Sequence, residues 1–462
     1  MAGSTSTPLE LGTQNISKLL KQYALPAIIA QIAASLYNMV DSIFIGQGVG
    51  PLAISGLAVT FPLMNLSTAF GTLVGAGAAT MLSVLLGQKN YSAASKVLGN
   101  VFSLNVIIGF LFMIVALIFL DPILYFFGAS ENTLPYAKEY MKVILYGNII
   151  THLYFGLNAA MRSTGNPRKA MGLTIFTVIF NAILDPIFIF VFDMGIAGAA
   201  WATIIAQTAA FIIVLNHFND RKKDVHFEKG IFRLDLRVAK DSLAICFGPV
   251  PMNSAACLVS LFINQQLRKY SGDLGIGAYG ICNRINFMFI MICMGLNQGM
   301  QPIAGYNYGA RKYSRVKEVF WKTARFAVLI TTLGFLVTEL FPRIAVGIFT
   351  NDAQLLDLSA SGIRVMNIML PIVGFQIVAS NLFQSLGMVK KSIILSLSRQ
   401  LLFLLPCLYF LPLAFDAKGI WMSYPVADGL ASILTIILLS RLLKKLGKLK
   451  DGEDPSILGS QI

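Results

Sequence analysis

An amide and a carboxylate stand one helical turn apart at Asn181 and Asp185, inside the apolar run Phe180-Asn181-Ala182-Ile183-Leu184-Asp185-Pro186. On a helix, positions i and i+4 leave the same face, so the two side chains can hold one proton or one small cation between them. An ionised Asp near the bilayer centre costs a few kcal/mol and therefore faces a bundle interior or a watery cavity. Pro186 adds a second irregularity, because it has no backbone N–H and leaves the carbonyl of Ala182 free for another partner.

The elements around this pair are those of a polytopic membrane protein. Of 462 residues, 56% are hydrophobic and only 13% charged, with a mean hydropathy of +0.70, which excludes an ordinary soluble protein of this length. Apolar stretches of about 20 residues recur, each long enough to cross roughly 30 Å of hydrocarbon. Twelve spans are predicted, near 19–45, 52–86, 99–120, 137–160, 170–192 and 195–218, then 240–267, 274–308, 321–341, 360–386, 392–413 and 419–442. No cleaved-signal pattern precedes them, so the first helix is expected to direct insertion.

The net charge of +14 lies in alternate loops rather than along a groove, which argues against a nucleic-acid partner. Lys89 and Lys96, Arg168 and Lys169, the stretch 221–240, Arg311 to Lys317, Lys390 and Lys391, and the tail 441–450 are basic. Intervening loops are short or carry Asp121, Glu131, Asp193, Asp352, Asp357 and Asp416, so both termini are expected in the cytoplasm. Cys246, Cys257, Cys282, Cys293 and Cys407 lie in apolar segments without metal-type spacing and read as small buried residues. His152, within a span, reads as a packed or pore-lining residue ahead of a proton relay.

Shifting the chain against itself by 222 residues reveals an internal repeat. Gly87-Gln88-Lys89-Asn90-Tyr91-Ser92 falls on Gly309-Ala310-Arg311-Lys312-Tyr313-Ser314, and Ser163-Thr164-Gly165 on Ser385-Leu386-Gly387. Apolar helices can resemble one another by chance, but loops at constant spacing do not. An even number of spans per half relates the halves by an axis along the membrane normal, and two bundles around a central cavity are expected. The predicted domains are therefore 15–218, a linker at 219–239, a second bundle at 240–445 and a tail at 446–462.

The charges do not repeat. Asp41 has Asn264 as its nearest counterpart, Asp185 falls on Cys407 and Asn181 on Phe403. In the predicted topology Asp41, Asp185 and Thr203 all lie at outer-half depths, with Thr203 about 12 Å below the start of its helix. Two readings fit: one shared pocket, or separate helix–helix hydrogen bonds. A shared pocket suits a proton, since two neighbouring acids raise each other's proton affinity, and its oxygens suit Na+ as well. Pro26 is placed to kink the first span, with Pro249 as its equivalent. Arg284 and Asp428 lie at similar depths and are expected to pair structurally. Met288, Met291, Met294 and Met300 suit a cavity that adapts to many shapes, or a lipid-facing or core position.

Tyr37-Asn38-Met39-Val40-Asp41-Ser42-Ile43-Phe44-Ile45-Gly46, the stretch from Asn181 to Pro186, Gly195-Ile196-Ala197-Gly198-Ala199-Ala200-Trp201-Ala202-Thr203 and Arg162-Ser163-Thr164-Gly165 resemble the multidrug and toxic compound extrusion (MATE) family, and its DinF-like and MepA-like bacterial members in particular. The resemblance covers roughly residues 15 to 445. It implies an all-α membrane protein of twelve transmembrane helices in two pseudo-symmetric six-helix bundles, an N-lobe and a C-lobe. It also implies export of cationic amphiphiles in exchange for H+ or Na+. In that pattern Asp41, Asn181, Asp185 and Thr203 match the cation site, Pro26 the kink, and Tyr37, Met64 and Asn158 the cavity lining. The seventh helix offers Asn253, Asn264 and Gln265 but no carboxylate, so coupling is expected in the N-lobe.

The expectation is a secondary active multidrug exporter of the bacterial inner membrane, a monomer working by alternating access. Asn264 and Met291 join its substrate cavity, H+ or Na+ is its coupling ion, and it has no other cofactor. A lipid-linked oligosaccharide flippase on the same fold is the alternative, and it needs cationic groups for a pyrophosphate, for which only Arg284 is at hand. No P-loop and no His-Glu-x-x-His motif occurs, which points away from an ATPase or an intramembrane metalloenzyme.

Overall fold

The computed structural model describes residues 8–49, 51–227, 249–349 and 352–454. After a short turn at Pro8–Gly12 come α1 (Ile16–Gly48), α2 (Pro51–Gly87), α3 (Tyr91–Ile118), the short α4 (Leu120–Phe126), α5 (Leu134–Ser163), α6 (Pro167–Pro186) and α7 (Gly195–Asn219). The second half holds α8 (Pro249–Gly309), α9 (Tyr313–Leu340), α10 (Pro342–Gly347), α11 (Ala353–Met366), α12 (Leu370–Ser385), α13 (Val389–Leu397) and α14 (Leu405–Lys448). Wider π turns, Ile187–Val191 and Ser398–Leu404, follow α6 and α13.

These elements make twelve membrane-spanning helices. Gly272, at φ 64°, breaks α8 into two spans, and Asp416, at φ 49°, does the same for α14. The predicted tenth span is two helices, α11 and α12, bent by 56°. Among the described residues seven helices are individually long and apolar enough to cross a bilayer, or eight with that bent pair, so the chain is multi-pass. The predicted linker from 228 onward and the tail from 455 onward lie outside the described residues.

The internal repeat is written into the backbone. Lys89 (φ 59°) and Arg311 (φ 57°) take the same left-handed conformation, as do Gly165 (φ 93°) and Gly387 (φ 75°), each pair 222 positions apart. The hydrogen bonds follow: Asn90 N donates to Leu85 O at 2.9 Å, and Lys312 N to Asn307 O at 2.8 Å. Asn166 N reaches Met161 O at 3.1 Å, and Met388 N reaches Phe383 O at 2.8 Å. Such bonds close a helix end by using carbonyls its last turn leaves unpaired.

Two compact units divide the chain: Met1–Thr13 with Ile29–Phe247, and Gln14–Ile28 with Gly248–Ile462. In the first, α2 packs on α3 and α5, and α5 on α7, around Leu57, Leu63, Tyr140, Met141 and Leu145. In the second, α9 packs on α12, and α8 on α9 and α11, around Ile263, Leu267, Ile363, Leu408 and Trp421. The beginning of α1 thus belongs with the second unit. There it lies backbone to backbone on α8, because a Cβ on Gly299 would come 2.5 Å from Ala24 Cα and one on Gly295 would come 2.7 Å from Ile28 Cα. Small residues four apart give two membrane helices this close approach. Buried Pro26 sits between the two contacts, and α1 passes to the first unit just beyond it.

One cap differs between the halves. Asn90 caps α3 with its own side chain, accepting from Ala93 N at 3.1 Å. Its counterpart Lys312 has no acceptor, and the tail supplies one: Asp451 accepts from Ser314 N at 3.0 Å and from the Ser314 hydroxyl at 2.5 Å. Tyr313 donates to Glu453 O at 2.8 Å and Arg311 pairs with Asp454 at 3.1 Å, so the tail is tied down over several residues. Partial burial pushes the Asp451 carboxyl up, but the Ser314 bonds outweigh it and hold it below its ordinary value. A depressed carboxyl stabilises the fold above its ordinary range and loses that contribution as the pH falls.

Two outcomes are expected. In detergent, Gly299→Ala should lower the apparent melting temperature by an amount worth about 1–3 kcal/mol, the cost of overpacking. Gly280→Ala, with nothing within 4 Å of its new Cβ, should instead raise it slightly; equal behaviour of the two would contradict the close approach. Asp451→Ala should cost about 1 kcal/mol, as a lost helix cap does, and Lys312→Asn should restore most of it in the same melting assay.

Candidate functional site: an amide bridge between two helices

The polar pocket of the first unit is built by α6 and α7. Asn181 donates from its Nδ2 to Asp185 Oδ1 at 3.2 Å and to Thr203 Oγ1 at 3.3 Å, which uses both amide hydrogens. Asn181, Asp185 and Thr203 are 2%, 0% and 7% exposed. Thr203 gets within reach because the start of α7 is nearly free of bulk: a Cβ on Gly198 would sit 3.0 Å from the Phe188 carbonyl. The turn before it is tight, with Asp193 (φ 51°) and Gly195 (φ 56°) both left-handed. Pro186 ends α6 and the backbone continues as the π turn Ile187–Val191, a departure from regular helix that is frequent at functional sites. With its nitrogen engaged twice, Asn181 keeps its Oδ1 as a buried acceptor with no hydrogen-bond partner among the described residues. A carboxylate, an amide oxygen and a hydroxyl gathered this way can receive a proton or a small hard cation.

Other predicted site residues are placed as follows. Positions 37 and 41 are on α1, but the side chains of Tyr37 and Asp41 lie outside the described residues. Asn158 is buried between α5 and α6, donating to Ala170 O at 3.1 Å. Met64 is half-buried beside the first core and accepts from Thr60 Oγ1 at 3.6 Å. Asn264 and Met291 are half-buried in the second unit. Met288 and Met294 are exposed and Met300 is fully buried, so the methionines do not share one surface. Fully buried His152 packs on Gly71 and stands 3.3 Å from the Ser67 hydroxyl. Cys282, Cys293 and Cys407 are buried free thiols.

One expectation is corrected. Asp428 does not pair with Arg284; its carboxylate accepts from Arg399 Nε at 2.5 Å. The direction in which a side chain leaves its helix, and not depth alone, decides the contact. Arg284 lies with Phe287 and Met288 on the exposed side of α8, whereas Ile281, Cys282 and Ile285 face the bundle. Gln376 braces the pair by donating to Asp428 O at 2.7 Å and to Ser432 Oγ at 2.5 Å, and Tyr424 donates to the Tyr279 hydroxyl at 2.8 Å beside it. Sequence reading missed Arg399, although a lone arginine inside an apolar run is itself the signal to look for a buried partner.

The pocket's sequence neighbourhood is shared with known proteins. The MatE family model matches residues 26–187 and again residues 251–410, together well over half the chain and once per unit of the repeat. The chain belongs to the MatE family. Among its relatives, the multidrug export protein MepA of Staphylococcus aureus (strain MRSA252) is 26% identical over 431 residues, covering 93% of this chain and 95% of that protein. MepA of Staphylococcus haemolyticus (strain JCSC1435) is 25% identical over 432 residues, with 94% and 95% covered. Two solved structures show that the fold is that of MATE transporters. One is an outward-facing multidrug resistance MATE family transporter of the MOP superfamily, at a TM-score of 0.89 and 22% identity, covering 96% of this chain and 100% of that one. The other is a MATE in the bent conformation, at a TM-score of 0.90 and 22% identity, with 96% and 99% covered. Within this MatE protein, the amide bridge carries a stability prediction. Asn181→Leu keeps the volume but removes two intramembrane hydrogen bonds, and should cost about 1–2 kcal/mol in thermal unfolding. An unchanged melting temperature would mean that the amide does not hold α6 to α7.

Proposed function

We propose that this protein exports cationic amphiphilic compounds across the bacterial inner membrane in antiport with H+ or Na+, by alternating access, with both termini in the cytoplasm. The observation that carries the reading is a fully buried carboxylate, Asp185, inside a membrane-spanning helix and accepting from Asn181, whose amide also reaches Thr203 on the next helix. Such a group is expensive to keep in hydrocarbon unless it serves an ion pathway. Family membership and the names of the staphylococcal relatives point the same way. Asp185, with Asp41 on α1, loads the coupling cation; Asn181 and Thr203 supply neutral oxygens that suit either ion; Pro26 gives α1 a place to bend. Protonation or Na+ loading removes the negative charge that would hold a cationic substrate, so ion and cargo exclude each other. Tyr37, Met64, Asn158, Asn264 and Met291 complete the substrate-binding surface. The flippase alternative is disfavoured by the charges: Arg284 lies on the exposed side of α8, and Arg399, its charge already answered by Asp428, is a single group where a pyrophosphate needs several.

Proteoliposomes with an imposed pH or Na+ gradient test the reading through uptake of ethidium. Wild type should accumulate the dye only with a gradient, and Asp185→Asn and Asp41→Asn should each reduce that coupled uptake by at least about tenfold, the consequence of removing a charge the cycle needs. Uptake that ignores both gradients would sink the transport reading; full coupling in both variants would sink the site assignment.

A further inference from the structure

The second unit carries a charged site for which neither coupling nor cation binding has a use. Arg399 lies about 15 Å along its helix from Val389, near the middle of a bilayer whose hydrocarbon is roughly 30 Å thick. Charge at that depth is rare and costs several kcal/mol. If the pair were only a strut, its donors would be used up inside the protein, since a half-satisfied buried network is worse than an apolar one. They are not used up. A guanidinium has five N–H donors, and Arg399 makes one hydrogen bond to the described residues, from Nε to Asp428. Its side chain is 30% exposed while that of Asp428 is 6% exposed, so the carboxylate is the buried anchor and the arginine is the accessible partner. The anchor is rigid, because Gln376 and Ser432 both donate to the Asp428 carbonyl, each at 2.7 Å. Arg399 also sits at the start of the π turn Ser398–Leu404, and the Tyr279 and Tyr424 hydroxyls lie within reach of its charge.

The repeat adds an independent argument. Shifted by 222 residues, Arg399 corresponds to Thr177 and Asp428 to Ala206, on the two helices that hold the Asn181 pocket in the first unit and one turn from it. Equivalent helix pairs therefore carry a buried carboxylate bound by an amide in one unit and a carboxylate bound by a guanidinium in the other.

We propose that Arg399, anchored by Asp428 and flanked by Tyr279 and Tyr424, is a receptor for the carboxylate of an amphiphilic substrate. The transporter then accepts zwitterions, which carry a cation and a carboxylate together, as well as simple cations. The proposal rests on the export reading for its choice of ligand. The planar fork formed by the two terminal NH2 groups matches a carboxylate in two parallel hydrogen bonds, which a point charge such as lysine cannot reproduce.

The test is equilibrium binding by fluorescence polarisation to the purified full-length protein in detergent. The probes are rhodamine 110, which has a free carboxylate, and rhodamine 123, its methyl ester. Arg399→Gln with Asp428→Asn removes the fork without leaving a stranded charge. It should weaken rhodamine 110 by about tenfold or more and rhodamine 123 by less than about twofold, a difference of the size one charge-assisted contact supplies. Arg399→Lys keeps the charge balance should the double variant fail to fold, and should show the same selective loss, of about threefold or more. Equal losses for both dyes, unchanged rhodamine 110 binding, or a wild type that binds only the ester would overturn the proposal. Phosphatidylglycerol added at a low ratio gives the competing source of an anion: displacement of rhodamine 110 by this lipid, but not by other zwitterionic dyes, would assign the fork to lipid headgroups and overturn it too. No gradient enters this measurement, so it stays readable if the coupled uptake of ethidium fails.

Discussion

A polar group inside hydrocarbon must be held by another polar group, and the architecture of the first unit follows from that constraint around Asp185. An isolated carboxylate there would be strongly unfavourable; one that accepts from an amide, on a helix pressed against another that offers a hydroxyl, is tolerated. The Asn181 amide is the joint of this arrangement, since it donates to both Asp185 and Thr203. The small residues of α7, the tight turn at Asp193 to Gly195 and the π turn after Pro186 all bring the helices to the distance at which one amide can span them.

The second half shows which features of the repeat are kept and which are not. Backbone solutions persist: the left-handed Lys89 and Arg311, the left-handed Gly165 and Gly387, and the hydrogen bonds that close each helix end recur at equivalent places. Side-chain solutions drift wherever another group can take over. Asn90 caps its helix, Lys312 cannot, and Asp451 from the tail supplies the missing oxygen. A left-handed turn has few substitutes because sterics leave little room in φ and ψ, whereas a hydrogen-bond acceptor can arrive from anywhere in the chain.

That difference also explains what could be read in advance. The repeat, the spans and the shared face of Asn181 and Asp185 were legible, because helical spacing and turn chemistry are local; Thr203 was left between a shared pocket and a separate bond, because it comes from the next helix. The division of α1 between the two units was not, since it depends on Gly295 and Gly299 matching Ala24 and Ile28 across more than two hundred residues. The partner of Asp428 was missed for a related reason. Hydropathy locates a residue along the membrane normal, but says nothing of the angle at which it leaves its helix, and Arg284 and Arg399 differ in that angle.

Charge balance supplies the last step. Asp185 accepts from the neutral amide of Asn181, which also reaches Thr203. Asp428 has its charge answered by a guanidinium at 2.5 Å, and a second cation there would meet Arg399 before it met the carboxylate. Like charges a few ångströms apart in low dielectric repel by several kcal/mol, far more than a neutral oxygen shell could return. Both units contain an acid within a span, and the one in the second unit already has its charge answered by a guanidinium. A coupling step in the first unit, as proposed, would meet no such repulsion from Arg399, and the Arg399–Asp428 pair would be left for the cargo.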